Sequence, residues 1–128
     1  MRLLLDTHTL IWWLATNPKL SPVARKAIED DSNEVHVSAV SAWEIATKHR
    51  IGKLPGVDHL VADMAGVMAD QGFVGLPISV QHGLRAGDLP GPHRDPFDRM
   101  LIAQAMEENL VLLSNETIFD RYGVKRLW

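Results

Sequence analysis

The stretch HRDPFDRMLIAQA carries two carboxylates, Asp95 and Asp98, three residues apart at the head of an apolar run. Asp95 followed by Pro96 is typical of a helix N-cap and the first helical position. Asp98 then takes the third helical position, where an acid can close a capping box. Asp98 also shares a helical face with Leu101 and Ile102, which we expect to pack on a sheet. We therefore assign Asp95 mainly to capping and Asp98 to a chemical site.

Three further acids lie where a predicted strand gives way to a helix. Asp6 follows the apolar strand RLLL, Glu116 follows VLLSN, and Glu44 lies in the first turns of the helix after EVHVS. Each acid alone has an ordinary structural interpretation, since Asp6 is a candidate helix cap and Glu116 suits a helix N-terminus. Glu44 can pair with Lys48 four residues later. Ligands of an open α/β sheet bind beyond the carboxyl ends of its strands, and Asp98 and these three acids all map to that end.

The elements that must position these acids alternate between short apolar strands and longer amphipathic helices. The predicted strands are 2–5, 34–38, 73–78, 110–114 and 124–128. The predicted helices are 7–16, 21–31, 39–52, 57–72, 79–89, 97–109 and 116–122. This alternation predicts an α/β fold with a parallel sheet of four or five strands and helices on both faces. The length of 128 residues fits one domain that spans the whole chain.

Composition narrows the class of protein. Cysteine is absent, so neither a disulfide framework nor a thiolate metal site is expected. The apolar stretch LIWWLA is too short to span a bilayer and an acid precedes it, so we expect a cytoplasmic protein without membrane contact. The net charge of −3 argues against a general nucleic-acid coat protein. This net charge is compatible with an enzyme that binds a few phosphates through nearby arginines.

Four acids at one end of a sheet predict a cation. Two carboxylates about 4 Å apart repel each other by about 4 kcal/mol at an effective dielectric constant of about 20. The cluster would therefore protonate or spread apart unless a cation held it. Oxygen ligands suit Mg²⁺ or Mn²⁺, which lower the pKa of bound water and stabilise an in-line phosphoryl displacement. The pattern predicts a metal-dependent phosphodiester hydrolase, and the histidines show no HxH or HExxH spacing that would indicate zinc.

Four motifs, in order and spacing, carry a family resemblance: LLLDTHTLIWWL, SAVSAWEIATKHRIGKL, HRDPFDRMLIAQA and LLSNETIFDRYGVKRLW. With them the chain resembles the PIN-domain ribonucleases, specifically the VapC-like toxins of type II toxin–antitoxin systems. The resemblance covers nearly the whole chain. It implies an acidic pocket that holds Mg²⁺ or Mn²⁺ and cleaves RNA through activated water. It also implies a homodimer and a cognate antitoxin protein that blocks the site.

The resemblance also assigns residues. Asp6 matches the family's first-strand acid, Glu44 the acid of the WEI helix, and Asp98 the acid before the apolar helix. The fourth acid usually follows a short strand in a Thr/Ser-x-Asp pattern. Here that stretch reads Ser-Asn-Glu, so Glu116 stands where Asp is more usual. Its longer side chain could still reach a metal, directly or through water.

Two residues are expected to support these ligands. Ser114 could hydrogen-bond a ligand or the attacking water, and Thr7 lies next to Asp6. Asp120 is an alternative fourth acid, one turn into the short predicted helix.

Basic residues near the acids are the predicted RNA phosphate contacts: Arg94, Arg99, Lys48 and Arg50. Arginine binds phosphate in a bidentate manner, and a few such contacts give useful affinity. Arg99 and Lys48 could instead pair with the acids four residues before them, so an ion-pair role stays open for both.

Other classes of protein fit less well. A receiver domain of a signalling system has a similar length and sheet, but FVGLPIS has no phospho-accepting Asp at its end. A phosphatase with an aspartyl nucleophile would have a second acid two residues after Asp6, where this chain has His8. A catalytically inactive PIN-fold module that only binds RNA or a partner remains the main alternative. An Asp6→Asn variant separates these two, because only an enzyme would lose its function.

Two apolar segments leave a choice between core and interface. Trp12 and Trp13 are either ordinary core or part of a dimer interface, where aromatic residues concentrate. Met64 and Met68, in the predicted helix 57–72, are either core residues or contacts for the antitoxin.

Overall fold

A computed structural model describes all 128 residues. Its five strands form one parallel sheet. The strands are β1 Arg2–Leu5, β2 Glu34–Ser38, β3 Val74–Leu76, β4 Val111–Leu113 and β5 Arg126–Leu127. Their order across the sheet is β3-β2-β1-β4-β5, which places β1 at the centre. The predicted parallel α/β sheet is thereby confirmed.

Seven helices connect or follow the strands. They are α1 Thr7–Leu14, α2 Pro22–Glu29, α3 Ala39–Arg50, α4 Asp58–Gln71, α5 Val80–Asp88, α6 Pro96–Glu108 and a 3₁₀ helix over Thr117–Tyr122. None of them combines the length and the apolar character needed to cross a bilayer.

The prediction of one continuous helix over 57–72 is wrong at Asp63. This residue has φ −156° and ψ 69°, outside the helical region, so α4 consists of two helical pieces. Asp63 Oδ1 accepts a hydrogen bond from the Gly66 backbone N–H at 3.0 Å. The side chain thus caps the second piece in the way that Asp commonly competes with helical backbone bonds.

The sheet is covered on both faces, as predicted. Leu3 and Leu5 point into one core with residues of α1, α2, α3 and α4, whereas Leu4 points into a second core. Leu101 and Ile102 of α6 fill that second core. Alternate residues of a strand face opposite sides of its sheet, so three consecutive leucines supply both cores.

The tryptophans of α1 belong to the first core. Trp12 and Trp13 are half-buried and pack against it, and Trp13 Nε1 donates a hydrogen bond to Gln71 Oε1 at 2.9 Å. Met64 and Met68 are half-buried as well and pack against the same core. All four side chains therefore contact this core, while part of each stays exposed.

A buried polar link joins the two helices that carry Glu44 and Asp98. Ser38 is the N-cap of α3, and its hydroxyl donates a hydrogen bond to Gln104 Oε1 on α6 at 2.5 Å. Gln104 is fully buried, and its amide donates to the Pro77 carbonyl at 3.3 Å. Buried polar groups are costly unless they are bonded, so these bonds define how α6 sits on the sheet.

Candidate active site

The strand order creates a crevice between β1 and β4. The chain runs outward from β1 through β2 to β3 on one side, and through β4 to β5 on the other. Parallel sheets bind ligands at such a switch point, beyond the carboxyl ends of the strands. Asp6 directly follows β1 and Ser114 directly follows β4, so these two residues flank the crevice.

Asp6 is both a helix cap and a buried member of this crevice. Its Oδ1 accepts a hydrogen bond from the His8 backbone N–H at 3.3 Å, which makes Asp6 the N-cap of α1. Its Oδ2 accepts a hydrogen bond from Ser114 Oγ at 2.6 Å. Burial raises the pKa of Asp6, although the hydrogen bond from Ser114 acts in the opposite direction.

Glu44 is buried on α3 and is paired with the next turn of its own helix. Lys48 Nζ lies 2.5 Å from Glu44 Oε2, the ion pair that the spacing predicts. Burial lowers the pKa of Lys48, but the hydrogen bond and the charge of Glu44 outweigh it, so the pKa of Lys48 is raised. Thr7 Oγ1 donates to Ser41 Oγ at 2.9 Å, which fastens α1 to α3 one turn before Glu44.

Asp98 lies at the start of α6 and is only 9% exposed. Asp95 is the N-cap, since its Oδ1 accepts from the Phe97 and Asp98 backbone N–H groups at 2.9 and 3.3 Å. His93 Nε2 lies 2.8 Å from Asp98 Oδ2. Burial raises the pKa of Asp98 to about 7, against the His93 hydrogen bond and with the help of the nearby acids.

Glu116 precedes the 3₁₀ helix, but its carboxylate makes no capping hydrogen bond there. Instead its backbone N–H donates to Ser114 Oγ at 3.1 Å. Burial and the charge of Asp6 raise the pKa of Glu116. Asp120 is engaged elsewhere, because Arg126 Nε and Nη2 lie 2.8 and 3.0 Å from its two carboxylate oxygens.

Asp6 is the electrostatic centre of the four acids. Its charge raises the pKa values of Asp98 and Glu116, and the charge of Glu44 raises the pKa of Asp6. Such mutual repulsion requires that the carboxylates share one end of the sheet. No three His, Cys, Asp or Glu side chains lie close enough together here to enclose a metal ion. The chemistry of the donors nevertheless fits a hard divalent cation, since they are carboxylate oxygens that repel one another, buried in three of the acids and half-buried in Glu116.

The four basic residues have different surroundings. Arg94 and Arg50 are exposed, and Lys48 is held by Glu44. Arg99 does not pair with Asp95. Its guanidinium donates to four backbone carbonyls, those of Ala86, Gly87, Leu89 and His93, at 3.0, 3.3, 2.7 and 3.0 Å.

Sequence reasoning missed the bond between His93 and Asp98 and the role of Arg99 as a clamp. The only signal for His93 was its place in the loop PGPHRD, five residues before Asp98. No local pattern indicates Arg99, because most of the carbonyls it binds lie at the end of another helix, α5.

Comparison with known proteins identifies the family of this fold. The family model for the PIN domain matches residues 3–125, and the chain belongs to this family. Ribonuclease VapC22 of Mycobacterium tuberculosis is 30% identical over 115 residues, which cover 88% of this chain and 85% of that protein. The resemblance read from the motifs is thus confirmed.

Solved structures share the fold at low identity. The structure of VapBC2 from Rickettsia felis, bound to a DNA fragment from its promoter, matches with a TM-score of 0.73 and 15% identity over 99% of this chain and 98% of that one. VapBC-1 from nontypeable Haemophilus influenzae matches with a TM-score of 0.67 and 16% identity over 99% and 97%.

Proposed function

We propose that this protein is a metal-dependent endoribonuclease toxin that a cognate antitoxin holds in check. The observation that carries the proposal is the position of Asp6, buried at the switch point and electrostatically coupled to Glu44, Asp98 and Glu116. The similarity to a protein named Ribonuclease VapC22 supports RNA as the substrate class. The fold shared with VapBC complexes supports the toxin–antitoxin context.

Asp6, Glu44, Asp98 and Glu116 are the residues that would hold Mg²⁺ or Mn²⁺. When bound, the ion supplies an acidified water and stabilises the charge that develops on the leaving oxygen. The carboxylate oxygens match the ligands that both ions prefer. In the metal-free protein Lys48 supplies the positive charge next to Glu44. A bound cation would also supply positive charge at this carboxylate.

The chain's own residues orient the acids and manage protons. The Ser114 hydroxyl donates a hydrogen bond to Asp6 and accepts one from the Glu116 backbone N–H, so it holds both residues in place. His93 fixes one oxygen of Asp98. In the metal-free protein the pKa of Asp98 is about 7, so a cation that binds this carboxylate would displace a proton near neutral pH.

Binding of the RNA backbone falls to the exposed cations. Arg94 precedes Asp95 in the loop before α6, and Arg50 ends α3. Phosphate contacts of this kind position a nucleic acid without reading its sequence. Lys48 is half-buried beside Glu44 and could contact a phosphate held near the acids. Arg99 has one guanidinium N–H left for such a contact.

The proposed partners are RNA, an antitoxin protein and a second copy of this chain, in the cytoplasm. An apolar groove of about 560 Å³ lies between α3, α4 and the edge strand β3. Met64, Met68 and Phe73 line it, and such a groove suits an apolar segment of the antitoxin.

The test is cleavage of a pool of tRNA, rRNA and mRNA by purified protein with Mg²⁺, with Mn²⁺ and with EDTA. We expect metal-dependent cutting that is lost in Asp98→Asn and kept in Asp95→Asn. Products should carry a 5′-phosphate, because water attacks the phosphorus. A 2′,3′-cyclic phosphate would mean that the ribose hydroxyl attacks instead. Identical bands from wild type and Asp98→Asn would indicate a contaminant and favour the binding module.

A further inference from the structure

An aromatic pair of one exposed and one half-buried ring lies beside the acid cluster. Trp43 on α3 and Phe97 on α6 meet edge to face, with ring centroids 4.8 Å apart and an angle of 73°. Trp43 is 57% exposed, whereas the other three tryptophans pack against the first core. Trp43 directly precedes Glu44, and Phe97 directly precedes Asp98. Both acids are proposed metal ligands. An exposed tryptophan at the edge of a polar site is a common means of ligand binding.

A small apolar cavity opens under Trp43. Its volume is about 230 Å³, and Val40, Ile78, Met100 and Arg99 contribute to its walls together with Trp43. This volume equals that of roughly seven water molecules, which is enough for one planar heterocycle and too little for a helix or a strand. The cavity therefore has room for one flat aromatic group.

Arg99 lines this cavity, and its guanidinium is held in place by hydrogen bonds. Four of its five N–H donors are bonded to backbone carbonyls, so the plane cannot turn. A fixed guanidinium face stacks well on a nucleobase. Trp43 and Arg99, two residues with planar side chains, thus lie on the walls of one cavity.

A cation lies between the aromatic pair and the acids. Lys48 Nζ lies 6.0 Å from the centroid of the Phe97 ring and 2.5 Å from Glu44 Oε2. Exposed Arg94 lies in the loop that leads into α6. Stacking surfaces next to a cationic path are the combination by which proteins bind single-stranded nucleic acid.

We infer that Trp43, Phe97 and this cavity form a stacking subsite for an unpaired nucleobase of the RNA, next to the phosphate that is cleaved. The inference rests on the proposed ribonuclease function and adds a preference for single-stranded RNA. A paired base would have to leave its helix to reach Trp43, at a cost in unstacking energy. The subsite holds any base, because every base offers a flat face.

Binding tests the subsite apart from catalysis. The measurement is fluorescence anisotropy of an end-labelled single-stranded oligoribonucleotide in an Asp6→Asn background, which prevents cutting. We expect Trp43→Ala to raise Kd about tenfold and Trp43→Phe to restore most of the affinity. Leu84→Ala is the matched control, since Leu84 is 65% exposed on α5 and does not line the cavity. It should leave Kd unchanged.

Two further readouts keep the inference testable if Trp43→Ala folds poorly. An abasic version of the oligonucleotide, with ribose and phosphate but no bases, should bind the protein that retains Trp43 about tenfold more weakly. The normal oligonucleotide should quench tryptophan fluorescence, and the abasic one should not. In the active background, Trp43→Phe should change KM by less than twofold. Where Trp43→Ala is folded, it should raise KM about tenfold and leave kcat nearly unchanged.

The outcomes distinguish a failure of the stacking subsite from a failure of the proposed ribonuclease function. If the wild-type protein cleaves RNA and Trp43→Ala matches it in Kd and KM, the stacking subsite is wrong and the proposed function stands. If Trp43→Ala converts a dimer into a monomer in sedimentation while RNA affinity per subunit is unchanged, the surface is a protein interface. If the wild-type protein neither cleaves nor binds any RNA, the proposed function itself fails.

Discussion

Ser114 Oγ donates a hydrogen bond of 2.6 Å to Asp6 Oδ2, and this bond bridges the switch point between β1 and β4. The same hydroxyl oxygen accepts the Glu116 backbone N–H at 3.1 Å. One small side chain therefore sets the position of two of the proposed metal ligands.

Ser114→Ala should reduce activity more than stability. Loss of an outer hydrogen bond to a metal ligand typically costs about 10- to 100-fold in metal affinity or activity. We expect a drop of that size in kcat/KM and a higher Mg²⁺ requirement. Ser114→Thr keeps the hydroxyl and should retain most of the activity. Equal Mg²⁺ titrations for Ser114→Ala and wild type would contradict the role given to Ser114.

Arg99→Ala should destabilise the fold. Four carbonyls around the end of α5 and the loop before α6 would lose a charged donor. One such bond contributes about 1.5–3 kcal/mol, and solvent replaces part of this loss because the bonds are part-buried or exposed. We expect the free energy of unfolding in urea to fall by about 3 kcal/mol. Arg99→Lys should not restore it, because lysine lacks the planar fork.

Exposed Arg94 provides the control for that experiment. Arg94→Ala should leave the free energy of unfolding within about 0.5 kcal/mol of wild type. If Arg99→Ala were as stable as Arg94→Ala, the clamp around the loop of His93 would be unimportant.

The metal-free protein should lose stability as pH rises from about 4 to about 7. Folding raises the pKa of Asp98 from 3.8 to about 7, so in this window the folded protein binds a proton that the unfolded chain has released. Asp6 and Glu116, with raised pKa values, act in the same direction. Asp98→Asn should flatten this part of the pH profile and raise Tm at pH 8 by about 3 °C or more. Thermal melts in EDTA check the sign.

Divalent metal should stabilise the wild-type protein. A ligand at 100 times its Kd adds about 2.7 kcal/mol when it binds only the folded state. We therefore expect a higher Tm in millimolar Mn²⁺ or Mg²⁺, and a much smaller rise in Asp98→Asn. Asp120→Asn is the matched control, because Asp120 is paired with Arg126 and should leave the metal response intact. An equal rise in all three proteins would mean that the ion binds elsewhere.

Local patterns determined much of this protein. Apolar runs such as RLLL, the cap Asp95 and the periodicity of α6 act over a few residues, so the sequence alone predicted all five strands and the parallel α/β class. The same local logic placed Asp6 and Glu116 just after strands and Glu44 in the first turns of the helix that follows β2. Spacing also predicted the Glu44–Lys48 ion pair, which needs only one helix.

The tertiary structure decided the relationships between elements. The strand order sets Asp6 beside Ser114, which is 108 residues away in the chain. The spacing of four residues allowed an ion pair between Arg99 and Asp95. Arg99 instead donates to carbonyls at the end of α5, because the last carbonyls of a helix have no hydrogen-bond partner within that helix. Whether Trp43 is exposed depends on which neighbours cover it, and that depends on how α3 and α6 pack. Hydrogen bonds and burial between distant segments form only when the chain is folded, so the sequence sets the candidates and the packing selects among them.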